Sequence, residues 1–403
     1  MNTPRIPAPP TLPALPALPT LPALPTLPTT VVGSYSVPGW LERLKNDCYQ
    51  HRISAKHLAE IHEVAIKAAV KDQELAGIDI ISDGELRRDN DIDYFLARIP
   101  GVHIAQWAKS DYFDYYQAEA IRPLPEDDRA ALGLAADFAF TRSISSRPIK
   151  FSFTGPFSLS RRVRASGYPD PAELVRALAR RLNAEARALA EAGASLLQID
   201  EPFLAGYREQ VDLAVEAVNI VTEGVDATWA LHVCYGNRYA RPLWEGHYDF
   251  LFPAVLGARV DQLVLEFARK GPGDLRLLRE YGWDRALGAG VIDVKSAGVE
   301  SADLVASRIR RALGYVPAGQ LFVNPDCGLR HLPPDVARAK LAAMVEGTAQ
   351  VRSELAAPEP AAAPTAGSGA ASRLAADEPA PRDPGRPARR RPRASAAGPA
   401  QRL

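Results

Sequence analysis

The chain has 403 residues, no formal net charge, 47% hydrophobic and 24% charged residues, 35 prolines and three cysteines, which is ordinary globular composition. Cys48, Cys234 and Cys327 are too few for a disulfide framework and point to a reducing compartment, so the cytoplasm is the expected location. No run of 18 apolar residues occurs and no basic excess lies outside the tail, which argues against a membrane span and against a nucleic-acid surface.

Ten of the 35 prolines fall in residues 1–28 and nine in residues 357–403. The head repeats Leu-Pro about every three residues; proline that dense blocks a helical signal segment, and the head reads as a disordered polyproline-II spacer. The tail is Ala, Pro, Gly and Arg without aromatics and cannot bury enough apolar surface to offset the entropy of ordering, so it too is expected to be disordered. Residues 29–356 remain as the expected folded domain.

Within it, short apolar and β-branched runs recur at 29–34, 78–82, 148–153, 195–200, 228–234, 262–267, 286–293 and 321–326. Several lack period-2 alternation, as strands covered on both faces do. Helical spacing fills the gaps at 54–76, 170–192, 208–223, 301–314 and 334–355. Gly77 is placed to stop the first of these, and Asp170-Pro171 opens the second as N-cap and first helical residue. Eight strand–helix alternations predict a (β/α)₈ TIM barrel of α/β class. A doubly wound sheet is the runner-up, but no Gly-x-Gly-x-x-Gly follows the first strand. The long connection 86–147 is expected to fold over the barrel mouth with short elements of its own.

Active sites of such barrels sit at the C-terminal strand ends, and polar residues crowd those ends here. They are Ser34, Asp83, Glu85, Thr154, Asp200, Glu201, His232, Cys234, Glu266, Asp293, Lys295, Asp326 and Cys327. Such a rim would be desolvated or self-repelling unless a cation or polar ligand organised it. His232 and Cys234 are i and i+2 on one strand and point to one side, and Cys327 ends the last strand. This His/Cys/Cys set suits Zn²⁺, with Glu266 as a fourth ligand that yields when substrate arrives. Spacing alone leaves two readings open, a zinc site or plain core residues. Zinc held by two thiolates is a poor activator of water and a good holder of a third thiolate, so the expected chemistry is alkyl transfer to sulfur.

The segments TTVVGSY (29–35), DIISDGELRRDNDIDYF (79–95), FTGPFSLS (153–160), LQIDEP (197–202), HVC (232–234), LEF (265–267), GAGVIDVKS (288–296) and FVNPDCGLR (322–330) resemble, in order, the catalytic barrel of cobalamin-independent methionine synthase. The resemblance covers about residues 29–353. It implies a zinc-activated homocysteine thiolate that attacks a methyl group from 5-methyltetrahydrofolate or another donor. His232, Cys234, Glu266 and Cys327 match its zinc set, and Ser34, Glu85 and Asp200, with Glu201 beside it, match residues that hold the amino acid. Asp293 and Lys295 fall at its catalytic D-x-H-S position, where IDVKS puts Lys295 in place of His. The stretch TGPFSLSRRV offers serines and arginines where folate-using members carry a pterin-stacking tryptophan.

Two alternatives compete with a homocysteine methyltransferase. One is a zinc-dependent epoxide:thiol alkyltransferase, in which Lys295 or Arg161/Arg162 binds a sulfonate or quenches an alkoxide. The other is a barrel that binds thiol or metal without turnover. Glu85 with Asp200 favours a thiol that bears an ammonium group.

Overall fold

Strands that are apolar on both sides need cover on both faces, and the chain supplies it by following strands with amphipathic helices. The computed structural model describes residues 24–106, 115–125, 129–130 and 132–357. The head up to residue 23 and the tail from 358 lie outside the described residues. The strands are β1 (His103–Gln106), β2 (Gln117–Glu119), β3 (Lys150–Thr154), β4 (Val163–Arg164), β5 (Leu196–Asp200), β6 (Thr228–Val233), β7 (Gln262–Glu266), β8 (Ala286–Ile292) and β9 (Leu321–Pro325).

Six of them form one parallel sheet in the order β3-β5-β6-β7-β8-β9. Two extended segments close it into an eight-membered ring. Thr29 bridges to Val323, Thr30 to Ile80 and Ile81 to Ile149, all in parallel. The sequence reading expected full strands at 29–34 and 78–82, and the structure shows isolated bridges there. Side chains take over much of the hydrogen bonding that a ladder would supply: Ser82 Oγ donates to Gly33 O at 2.6 Å, Gln198 Nε2 to Val32 O at 2.8 Å and Gln73 Nε2 to Ser82 O at 3.1 Å.

The helices follow their caps. Ser54 Oγ accepts the His57 N–H ahead of the helix Ala55–Ala76, and Gly77 ends that helix at φ 88°. Asp170 accepts the Ala172 N–H ahead of Pro171–Glu191, and Ser301 the Leu304 N–H ahead of Ala302–Leu313. The 86–147 connection contributes β1, β2 and the helix Leu134–Ile144, and β1-β2-β4 form a small separate sheet.

Ile80, Leu196, Ala286 and Phe322 cluster with Leu24 packed against them. Since Leu196 and Ala286 open their strands, this cluster lies at the N-terminal end of the barrel, away from the strand ends that carry the polar residues. The folded region begins before residue 29. Leu27 is fully buried, and Arg352 donates to the carbonyls of Thr26 and Leu27 at 2.8 and 3.0 Å. Burying such a leucine contributes about 1.5–3 kcal/mol.

Candidate active site

At the end of β6, His232 and Cys234 project to the same side, and the loop after β9 brings Cys327 to them. The ligand atoms of these three lie within 4.8 Å of one another, and the two Sγ atoms are 3.6 Å apart. Asp200, ending β5, sits beside His232, with its Oδ1 2.9 Å from His232 Nδ1. The same oxygen accepts a 2.7 Å hydrogen bond from Gln198 Nε2. With Nδ1 occupied by the carboxylate, Nε2 is left buried and without a hydrogen-bond partner. Burial opposes protonation of the ring, but Asp200 and Cys327 offset it and push its pKa up to about 10. The hydrogen bond from Cys234, aided by His232 and Lys295, holds Cys327 well below the usual thiol range, while Cys234 is pushed well above it.

Glu266, ending β7, is fully buried beside this cluster. Its Oε2 accepts a 2.6 Å hydrogen bond from Lys295 Nζ, and its Oε1 lies 3.6 Å from the Arg269 guanidinium. Burial alone would lower the Lys295 pKa, but Cys327, Glu266 and Cys234 around the ammonium hold it above the ordinary lysine value. Asp326 is buried and accepts the backbone N–H groups of Phe267, Ala268 and Arg269 at 2.8–2.9 Å, which pins the loop after Glu266. Gly290 is required beside it, because a Cβ there would overlap Asp326.

A pocket of ≈120 Å³ opens onto His232 and Cys327, several times the volume of about 30 Å³ that one water occupies in the liquid. Ser34, Glu85, Asp91, Asp200, Tyr115, Arg330 and His331 also line it. Glu85 adopts a left-handed backbone (φ 56°), steadied by its N–H donating to Asp83 at 2.9 Å. Its Oε1 accepts from Ser152 Oγ at 2.7 Å and pairs with Arg88 at 3.0 Å. Burial raises the Glu85 pKa, and nearby Asp200 raises it further against the pull of Arg88. Burial raises Asp91 as well, although Tyr115 Oη donates to it at 3.1 Å. The pocket is thus rich in carboxylates that would gain from a cationic ligand group.

The family model for the catalytic domain of cobalamin-independent synthase matches residues 27–350. The methionine synthase of Saccharolobus islandicus is 38% identical over 332 residues, 81% of this chain and 95% of that protein. The methionine synthase of Saccharolobus solfataricus is 36% identical over the same length and shares of chain. The solved structure of a B12-independent methionine synthase from Shewanella sp. W3-18-1, in complex with selenomethionine, is similar with a TM-score of 0.72 at 28% identity, covering 82% of this chain and 99% of that one. The chain belongs to the cobalamin-independent synthase catalytic-domain family.

Against this family background, most of the expected site residues meet at one rim. His232, Cys234 and Cys327 form the cluster; Ser34, Glu85 and Asp200 line the pocket beside it; Glu266 and Lys295 form a pair at its edge. Two expected residues do not line the pocket and have backbone partners of their own. Glu201 was expected to hold substrate, but strand alternation turns it away from Asp200. Its oxygens accept the N–H groups of Phe157 and Ser158 and the Ser158 hydroxyl at 2.6–3.1 Å, anchoring the helix Pro156–Ser160, and it does not line the pocket. Asp293, expected to act in catalysis, accepts the Lys295 N–H on its Oδ1 at 2.8 Å, a turn that sets the course of the Lys295 chain.

Arg161 and Arg162 do not line the pocket either. Arg161 packs on Phe157 and Tyr207, and Arg162 on Tyr115. Glu85 also forms an ion pair with Arg88, which coexists with its place in the pocket. Sequence reasoning missed Asp91, Tyr115, Arg330 and His331. The available signal for two of them was their position three and four residues beyond Cys327. His331 is an ordinary loop histidine by sequence, yet burial lowers its pKa to about 4 and places it in the pocket wall.

Proposed function

We propose that this chain is a zinc-dependent methionine synthase, which transfers a methyl group from a methyl donor to the thiolate of homocysteine. The observation that carries the reading is a His/Cys/Cys cluster opening onto a small, carboxylate-lined pocket. The donor set fits zinc. Two sulfurs at about 2.3 Å from one tetrahedral ion lie about 3.8 Å apart, close to the 3.6 Å between Cys234 and Cys327. The buried Nε2 of His232 lacks any other partner.

Zinc, when bound, lowers the pKa of a thiol while its two thiolate ligands keep that sulfur electron-rich. The protein's own residues do the rest. Asp200 at Nδ1 orients the His232 ring and leaves Nε2 as the nitrogen that would hold the metal. Glu85, Asp91 and Asp200 form the site for the substrate ammonium, whose arrival relieves the mutual repulsion that raises Glu85. Ser34 and Arg330 in the same pocket receive the substrate carboxylate. Lys295, whose ammonium lies beside the cysteines and Glu266, is placed to give a proton to the group that leaves as the methyl is transferred.

Selenomethionine in the Shewanella relative is a methionine analogue, and its presence there supports an amino-acid pocket here. The carboxylate wall also favours homocysteine over a sulfonate thiol, which those groups would repel. Cys234 and Cys327 are free cysteines, which accords with the reducing cytoplasm. No helix among the described residues is long and apolar enough to cross a membrane.

The test is to incubate enzyme and homocysteine separately with methyl-folate, methylcobalamin and a small epoxide, with and without chelator, and to identify the S-alkyl product by mass. Methionine formed from a methyl donor and abolished by chelator is expected. An S-hydroxyalkyl product from the epoxide alone would replace this reading with the alkyltransferase one.

A further inference from the structure

A second cavity, of ≈960 Å³, lies behind the segment that follows Glu85. It is as large as the small-molecule sites of about 300–1,000 Å³ found in other proteins, and its lining residues are separate from those of the catalytic pocket. The helix Ala55–Ala76 presents Ala55, Leu58, Ala59 and His62 to it, positions that fall on one helical face, and Leu132 extends the apolar wall. His62 is 7% exposed, and its Nε2 has no hydrogen-bond partner.

Asp89, Asp93 and Asp137 also reach the cavity, and the last two are committed to the protein. Asp93 accepts Asn90 Nδ2 and the Tyr116 N–H at 3.0 Å each, and Asp137 pairs with Arg87 at 2.9 Å and accepts the Tyr94 hydroxyl at 2.5 Å. Arg98 donates to Tyr94 O at 2.7 Å and lies 3.8 Å over its ring, and among the described residues it pairs with no carboxylate. Burial lowers the His62 pKa to about 3, with Lys45, Arg87 and Arg98 pressing the same way. Burial, with Arg330, holds Lys45 well below the usual lysine range. A positive field over an apolar wall suits an anion with an apolar body, which a neutral His62 can meet with an N–H on Nε2.

The segment 87–93 is the wall between the two pockets. Asn90 and Asp91 line the catalytic side, and Arg87, Asp89 and Asp93 the other. Between them the Arg88 carbonyl accepts Lys45 Nζ at 2.6 Å from the cavity side and Arg330 Nη2 at 2.5 Å from the catalytic side. We propose that this cavity is an effector site for a small organic carboxylate with an apolar or aromatic body, whose arrival draws Lys45 from the Arg88 carbonyl and loosens the wall that carries Asp91. The site is independent of the metal, and its effect on the catalytic pocket rests on the amino-acid reading of that pocket.

The experiment is titration calorimetry on the full chain with benzoate, its uncharged counterpart benzamide, and inorganic phosphate as an anion without an apolar body. Wild type is compared with Leu58→Trp, which fills the cavity, and Arg98→Gln. Benzoate is expected to bind wild type with or without methionine present. Saturating benzoate weakens methionine about fivefold, and saturating methionine weakens benzoate by the same factor. Benzamide and phosphate bind at least about tenfold more weakly than benzoate. Arg98→Gln weakens benzoate about tenfold and Leu58→Trp abolishes its binding, while both keep the wild-type affinity for methionine.

Failure of benzoate to bind wild type, binding that persists unchanged in both variants, or a methionine affinity that benzoate leaves unchanged overturns the inference. So does a loss of methionine binding that keeps growing with benzoate concentration, as direct competition in the catalytic pocket does. Should Leu58→Trp fail to fold, Arg98→Gln locates the site. Wild type that binds no methionine would instead remove the amino-acid reading, and the benzoate arms would still decide the cavity.

Discussion

Two carboxylates flank the cysteine cluster, half-buried Asp200 at the end of β5 and buried Glu266 at the end of β7, and they take different partners. Asp200 holds the ring of His232 at 2.9 Å and turns its free nitrogen toward the sulfurs. Glu266 is paired with Lys295 at 2.6 Å, and its other oxygen has no hydrogen-bond partner. Chemistry that is nearly the same at equivalent places in the barrel is bonded to an imidazole in one case and to an ammonium in the other. The neighbour on the next strand decides which. A carboxylate at a barrel rim therefore declares its role only through its partner.

The comparison breaks first at the donors themselves. Cys327→Ser or His232→Ala should remove bound zinc and lower turnover by more than about 100-fold, beyond what loss of an outer partner costs. Metal analysis alongside a methionine assay reads both. Asp200→Asn comes next: it should weaken zinc binding by about 10–100-fold in a chelator competition, and an unchanged affinity would remove Asp200 from its orienting role.

Lys295→Ala should lower kcat by about 100-fold while the KM for homocysteine moves less than about threefold. The reverse pattern in steady-state kinetics would remove Lys295 from the proton-donor role. The smallest effect is expected away from the rim. Deleting residues 1–23 and 358–403 should leave turnover and the melting temperature nearly unchanged. Extending the first deletion through Leu27 should cost about 2–5 kcal/mol in urea unfolding, as loss of a buried leucine does.

The two sides of the comparison differed in how legible they were beforehand. His232 and Cys234 could be paired because strand geometry repeats every two residues, and Cys327 because it follows the last strand directly. Asp200 was legible as a rim residue, but its bond to His232 depends on the register of β5 against β6, where the two residues stand side by side. The Glu266–Lys295 contact is less accessible still, since it spans the end of β7 and a turn two residues beyond Asp293. Glu201 was misplaced because adjacent residues at a strand end face opposite sides, and sequence alone does not say which faces in.

The barrel itself was readable from eight apolar runs and from the helix signals at Gly77 and Asp170. Its first two strands were overdrawn because the sequence does not reveal that side chains such as Ser82 and Gln198 satisfy their backbone. Asp91, Tyr115 and His331 lie in segments without periodicity, and only tertiary placement brings them to the pocket.

The most direct test is the metal content of reduced, purified protein, measured together with turnover before chelation, after it and after zinc is returned. About one zinc per chain, with methionine formation lost on chelation and recovered on reloading, is the result expected of a His232/Cys234/Cys327 centre. Protein that makes methionine at full rate with no metal bound would contradict it.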